Sequence, residues 1–244
     1  MRTIKLTIEY EGTQYAGWQV QPNGLSVQEV MEEALAKLLK EKVRIASSGR
    51  TDAGVHALGM VAAFRTEKSI PVRAFSDGLN SLLPSDIAVR EAVEAPADFN
   101  PRRHAKGKHY RYTVLTASRR SPLSRLFTWR VGCTLDVEAM ARAARHFIGE
   151  RDFAAFRAAN CSAQTTVRRI DSLDIRRDGT LLIFDVKGSG FLKNMVRIIV
   201  GTLVSVGRGS LSPDDIPVLI ESGDRTRAGS TAPPQGLCLM EVYY

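Results

Sequence analysis

Residues 3–10 read Thr-Ile-Lys-Leu-Thr-Ile-Glu-Tyr, with apolar and polar side chains in alternation. A period of two places the apolar residues on one face, which is typical of a strand with one buried side. Residues 26–40 change to the helical period. Ser26 and Glu29 form a capping-box pattern, and an apolar stripe follows at Val27, Val30, Met31, Ala34, Leu35 and Leu38. The chain therefore opens with a strand and an amphipathic helix.

The same order of elements occurs twice along the chain. The first half continues with apolar runs at about 43–46, 59–65 and 86–93, and with a helix after Pro71. The second half has strands at about 109–116 and 237–243, helices at about 136–148, 192–206 and after Ser212-Pro213, and a hairpin from Ile170 to Val186 turned at Asp178-Gly179.

These patterns predict an α+β fold. Two β-α-β-β-α-β halves are expected to form antiparallel sheets flanked by helices, with a basic cleft between them. We expect the domains to be residues 1–100 and 101–244, because a basic, Pro- and Gly-bearing linker follows Asp98.

The composition is that of a globular protein: 244 residues, 44% hydrophobic and 25% charged, which excludes collagen-like and low-complexity classes. Three cysteines without a C-x-x-C pattern argue against a disulfide framework and predict a reducing, cytoplasmic location. The four histidines lack metal-ligand spacing, so we expect no metal. The longest apolar run is about nine residues, short of the roughly 18 that a membrane span needs.

The charge is strongly positive, with 34 Lys and Arg against 26 Asp and Glu, a net +8. Such a surplus attracts polyanions, so nucleic acid is the expected partner. The alternative is a basic protein whose charge serves solubility alone.

Residues 48–56 read Ser-Gly-Arg-Thr-Asp-Ala-Gly-Val-His and lie between two strand-like runs. The two glycines permit a tight turn that would hold the Asp52 carboxylate at the surface beside the Arg50 guanidinium. In the alternative interpretation, Asp52 only closes an Asx-turn.

The strand after Lys108 places Tyr110, Tyr112 and Val114 on one face. Aromatic residues on such a face usually belong to the core, but a phenol ring at a cleft edge can stack on an unpaired base. The helix from Leu192 would place Lys193 and Arg197 together as a like-charge i, i+4 pair. This pair costs a few tenths of a kcal/mol unless an anion or a carboxylate such as Asp52 faces it. The alternative is a solvated flank.

At these residues the sequence resembles the tRNA pseudouridine synthase A family. Gly49-Arg50-Thr51-Asp52-Ala53-Gly54-Val55-His56 is similar to the family signature G-R-T-D-A-G-V-H at every position. Further similarity covers nearly the whole chain in the family's order, at residues 10–19, 26–28, 110–112, 191–192 and 195–197.

The resemblance implies a homodimeric isomerase that uses no cofactor and converts uridine to pseudouridine in the anticodon arm of tRNA, at positions 38 to 40. Asp52 matches the essential aspartate, and Tyr110 the tyrosine that packs on the target base. Arg197 matches the basic residue that pairs with the aspartate, and Arg50 the arginine associated with the flipped-out nucleotide. Lys193 stands where many relatives carry an aromatic residue or histidine.

The chemistry agrees with this expectation. A stacked base must be swung out, which costs a few kcal/mol that phosphate contacts can offset. The isomerisation needs a carboxylate, acting either at the sugar carbon or as a base, and a guanidinium that keeps it ionised. Two other functions remain open: a non-catalytic RNA-binding module, and a sugar or nucleotide hydrolase, which would require a second carboxylate near Asp52.

Overall fold

The computed structural model describes residues 1–244 as two compact units. The first unit comprises Met1–Lys106 and Cys238–Tyr244, and the second Gly107–Leu237. The strands are β1 (Arg2–Tyr10), β2 (Ala46–Ser47), β3 (His56–Thr66), β4 (Ile87–Ala95), β5 (Gly107–Leu115), β6 (Trp129–Arg130), β7 (Gly149–Asp152), β8 (Val167–Asp178), β9 (Leu181–Gly188) and β10 (Leu237–Tyr243). The helices are α1 (Val27–Leu39), α2 (Ala74–Asn80), α3 (Val137–Arg145), α4 (Met195–Gly207) and α5 (Asp215–Ser222).

The first unit is built on a sheet in the order β4-β1-β3-β10. β1 pairs antiparallel with both β3 and β4, and β2 pairs with β3. The alternation predicted for β1 is confirmed, because Ile4, Leu6 and Ile8 are completely buried. Five helices combined with strands in mostly antiparallel pairings also confirm the predicted fold class.

Helix α1 begins as the capping pattern predicts. The Ser26 side chain accepts a hydrogen bond of 3.2 Å from the Glu29 backbone N–H, which satisfies one of the unpaired donors of the first turn. The buried stripe is Val27, Met31, Ala34, Leu35 and Leu39. The helix ends at Lys40, whose positive φ of 58° is left-handed.

The second unit has a sheet in the order β5-β9-β8-β7, and β6 runs parallel to β5. The predicted hairpin is confirmed: β8 and β9 pair antiparallel up to Asp178 and Leu181, with Gly179 at φ +57° in the turn. Helices α3 and α4 pack closely at Gly207, where an added Cβ would lie 2.5 Å from the Met140 sulfur.

The last strand lies elsewhere than the repeated pattern predicts. β10 was expected to close the second half, but it pairs parallel with β3, through Cys238 opposite His56 and Leu239 opposite Ala57. The units therefore divide after Lys106 and again after Leu237, whereas the sequence suggested one boundary at residue 100. None of the helices has the length and apolar character that crossing a membrane requires.

Candidate active site

The loop that carries Asp52 joins β2 to β3 and contains a tight turn. The Val55 N–H donates to the Asp52 carbonyl oxygen at 3.1 Å, and Gly54 adopts a left-handed φ of +76°. The bond that closes this turn therefore uses the backbone carbonyl of Asp52. Asp52 is half-buried and Arg50 is exposed.

Thr51 anchors the loop to the segment that follows β1. Its carbonyl oxygen accepts a bond of 3.1 Å from the Trp18 N–H, and its hydroxyl lies 2.8 Å from the Tyr10 hydroxyl. Gly17 makes this approach possible, because a Cβ there would lie 2.6 Å from the Thr51 carbonyl oxygen. The backbone immediately before Asp52 is thus held on both sides.

Two further bonds hold the other end of the loop. The Gly12 N–H donates to His56 Nδ1 at 3.0 Å, and the Gly54 N–H donates to the Tyr15 carbonyl oxygen at 3.3 Å. A Cβ at Gly12 would lie 2.1 Å from the Val55 carbonyl oxygen. Residues 10–18 therefore form a strap around the loop of Asp52. The family resemblance includes this segment, but the sequence alone indicated no role for it. Gly12 and Gly17 were the only local features that could have indicated a close backbone contact.

Tyr110 lies on β5 in the second unit. Tyr110, Tyr112 and Val114 are buried, whereas the side chains between them are partly exposed, so the predicted alternation is confirmed. The Tyr110 ring meets the Phe191 ring edge to face, with centroids 5.3 Å apart. Phe191 thereby fixes the orientation of the phenol.

Arg197 occupies the first turn of α4 and is held by two directed bonds. Its Nε donates to the Ala232 carbonyl oxygen at 2.7 Å, and its Nη1 donates to Asn194 Oδ1 at 2.9 Å. A backbone bond joins the same two residues, since the Ala232 N–H donates to the Arg197 carbonyl oxygen at 3.1 Å. These bonds fix the direction of the guanidinium before any substrate arrives.

The segment that receives Arg197 packs tightly on α4. A Cβ at Gly201 would lie 1.8 Å from the Ser230 carbonyl oxygen. Tyr112 supports the same segment by donating to the Pro233 carbonyl oxygen at 2.7 Å. Burial raises the pKa of the Tyr112 phenol, and nearby Arg197 only partly opposes this rise. Sequence reasoning did not identify this segment, because its contacts are long-range.

The predicted pairing of Lys193 with Arg197 on one helix flank is wrong. α4 starts only at Met195, and Asn194 before it has a left-handed φ of 62°. Lys193 is therefore outside the helix and exposed, and its carbonyl oxygen accepts a bond of 3.1 Å from the Ala158 N–H.

Arg50 and Asp52 thus lie on one loop of the first unit, and Tyr110 and Arg197 lie on β5 and α4 of the second. Each lies on backbone held by several hydrogen bonds or by sheet pairing. No three His, Cys, Asp or Glu side chains lie close enough together to hold a metal ion.

Comparison with known proteins identifies close relatives along the whole chain. Residues 6–102 and 143–244 match the family model described as tRNA pseudouridine synthase. The chain is 65% identical over 244 residues, the full length of both proteins, to a tRNA pseudouridine synthase A of Geotalea uraniireducens. It is 64% identical over the same length to that of Geobacter sulfurreducens. With that of Myxococcus xanthus it shares 53% identity, covering all of this chain and 92% of the relative.

Proposed function

Because this chain belongs to the tRNA pseudouridine synthase family and pseudouridylates tRNA, we propose that its targets are uridines 38, 39 and 40 of the anticodon stem-loop. The similarity to the synthase A relatives, unbroken over the full chain, supports this assignment. We place the enzyme in the cytoplasm as a homodimer that acts on tRNA.

Asp52 is the catalytic residue in this proposal. Asp52 is half-buried on a loop that backbone hydrogen bonds hold in place, and this placement supports the assignment. Isomerisation breaks the bond from the sugar carbon to N1 of uracil and forms one to C5, with no change of oxidation state. A carboxylate can serve by attack on the sugar carbon or by abstraction of a proton. Both routes need it ionised.

The other three residues have supporting roles. Arg197 provides the guanidinium that keeps the reacting carboxylate charged and oriented, and its two side-chain bonds to Ala232 and Asn194 favour one fixed direction. Tyr110 packs on the extruded base with a ring already oriented by Phe191. Arg50 is exposed beside Asp52 and contacts the flipped-out nucleotide.

Tritium release from tRNA that carries C5-tritiated uridine tests the reaction and its site together. Forming the bond to C5 displaces the label, so release is expected, and the modified nucleosides should map to positions 38, 39 and 40. An RNA-binding module or a hydrolase would leave the tritium on C5, because neither forms a bond between the sugar carbon and C5. Pseudouridine that forms only outside the anticodon arm would contradict the proposed targets.

A further inference from the structure

Two arginine side chains lie directly opposite each other at the edge of the second unit's sheet. β7 is the edge strand, and its Arg151 is paired in register with Arg168 of β8. The side chains of directly paired residues project from the same face, and like charges in this arrangement destabilise a sheet. The protein alone therefore carries a cost at this position that an anion would remove.

Neither guanidinium is neutralised within the protein. Arg151 Nη1 donates to the carbonyl oxygen of Glu150 at 3.2 Å. Arg168 Nη1 donates to the Val167 carbonyl oxygen at 2.6 Å and to the Thr165 hydroxyl at 3.2 Å. Neither arginine belongs to any ion pair of the structure.

The neighbouring arginine behaves differently. Arg169 bonds to the Asp171 carboxylate at 2.8 Å and lies opposite Glu150 in the strand register. On one face of β8, Arg169 therefore has carboxylates close by. On the other face, Arg151 and Arg168 have none as ion-pair partners. This contrast is local, since Arg168 and Arg169 are adjacent in the strand.

A short segment connects the arginine pair to the start of α4. Asp152, the last residue of β7, accepts a bond of 2.9 Å from the Ala154 N–H, and a 3-10 turn follows at Ala154–Phe156. Ala158 then donates its N–H to the Lys193 carbonyl oxygen at 3.1 Å. The segment thus leads from the sheet edge to the residue that stands two positions before α4.

This path carries further unneutralised cations. Arg157 and Lys193 are exposed, and neither belongs to an ion pair. Arg197, the residue proposed to support the reacting carboxylate, follows in the first turn of α4. We call Arg151, Arg168, Arg157 and Lys193 the arginine track.

We propose that the arginine track binds the sugar-phosphate backbone of the tRNA substrate, with Arg151 and Arg168 holding phosphates away from the reacting uridine. The planar fork of arginine matches the geometry of a phosphate group, and several cations outside any ion pair suit a partner that carries many phosphates. This inference rests on the proposed function, because it assumes that the substrate reaches the start of α4.

The affinity for an unmodified tRNA transcript, measured over a range of salt concentrations, tests this proposal. Arg151→Gln combined with Arg168→Gln should weaken binding roughly 3- to 10-fold at low salt and lower the slope of log Kd against log salt by about 1 to 2. Arg208→Gln is the matched control, since Arg208 is exposed at the opposite end of α4. An unchanged slope in the double variant, or an equal loss in the control, would overturn the proposal.

Arg168→Glu separates RNA binding from a structural role. The introduced carboxylate would face Arg151 and replace repulsion with attraction, so Tm should rise by about 1 to 4 °C while tRNA binding weakens more than in the double variant. A fall in Tm together with lost binding would show that the arginines serve the fold, and would overturn the proposal. Binding is measured without turnover, so tritium release by the unaltered enzyme reports on the proposed function separately.

Discussion

The hydroxyl groups of Tyr10 and Thr51 lie 2.8 Å apart and share a buried hydrogen bond between β1 and the loop of Asp52. Thr51 directly precedes the proposed catalytic residue, and its carbonyl oxygen is held by Trp18 at the same time. The residue before the proposed catalytic carboxylate is therefore held through both its side chain and its backbone.

Tyr10→Phe and Thr51→Val each remove this bond. Either change should lower the free energy of unfolding by about 1 to 3 kcal/mol, because a buried polar group loses a partner, and should lower kcat more than it changes KM. The double variant should lose less than the sum, with a coupling of about 0.5 to 3 kcal/mol. Urea unfolding of the unaltered protein, the two single variants and the double variant measures this coupling. Strictly additive losses would show that the two hydroxyls act independently.

Gly17→Ala should damage the site through the backbone. Gly17 has φ +104°, and an added Cβ would lie 2.6 Å from the Thr51 carbonyl oxygen, so we expect a loss of about 2 to 4 kcal/mol in stability together with most of the activity. Gly179→Ala is the control, since it has φ +57° but nothing within 4 Å of the added atom; it should cost only about 1 kcal/mol. Similar losses in both variants would refute the role of close packing at Gly17.

Asp185 should make the protein sensitive to acid. Burial of this carboxyl raises its pKa, but hydrogen bonds from Arg111 and His109 outweigh burial and bring the pKa below its ordinary value of 3.8. The unfolded chain therefore binds this proton more readily, so the stabilisation is present at neutral pH and is lost as pH falls below about 4. Asp185→Asn should lower stability at pH 7, and this loss should shrink as the pH falls below about 4, as measured by urea unfolding. A stability difference that does not change with pH would contradict this explanation.

The positive charge of +8 predicts that tRNA affinity falls steeply between low and moderate salt, because bound cations release counterions from the phosphates. Filter binding at several salt concentrations measures the slope. A flat response would remove the electrostatic part of substrate binding.

Local sequence patterns correctly predicted the features that depend on neighbouring residues, such as strand alternation, helix caps and turns. The alternation in β1, the Ser26 cap of α1 and the Asp178-Gly179 turn all appear as expected. The glycines of the Asp52 loop predicted a tight turn, which the structure shows, whereas the catalytic role of Asp52 came from the family resemblance.

Long-range and very short features could not be predicted. β6 and β7 contain only two and four residues, too few for a period to show. The pairing of β10 with β3 joins residues far apart in the chain. α4 starts later than predicted because Asn194 adopts a left-handed backbone conformation. The apolar pattern around Asn194 is typical of a helix and did not indicate this.

Asp52→Asn tests the central claim most directly, because it removes the charge and keeps the shape. Pseudouridine formation in tRNA and the Kd for the same tRNA should be measured side by side, with Asp174→Asn, an exposed carboxylate of β8, as the control. We expect turnover below about 1% of the unaltered enzyme with Kd changed less than about twofold. Turnover that survives above a few per cent, with tRNA still bound, would show that Asp52 is not the catalytic residue.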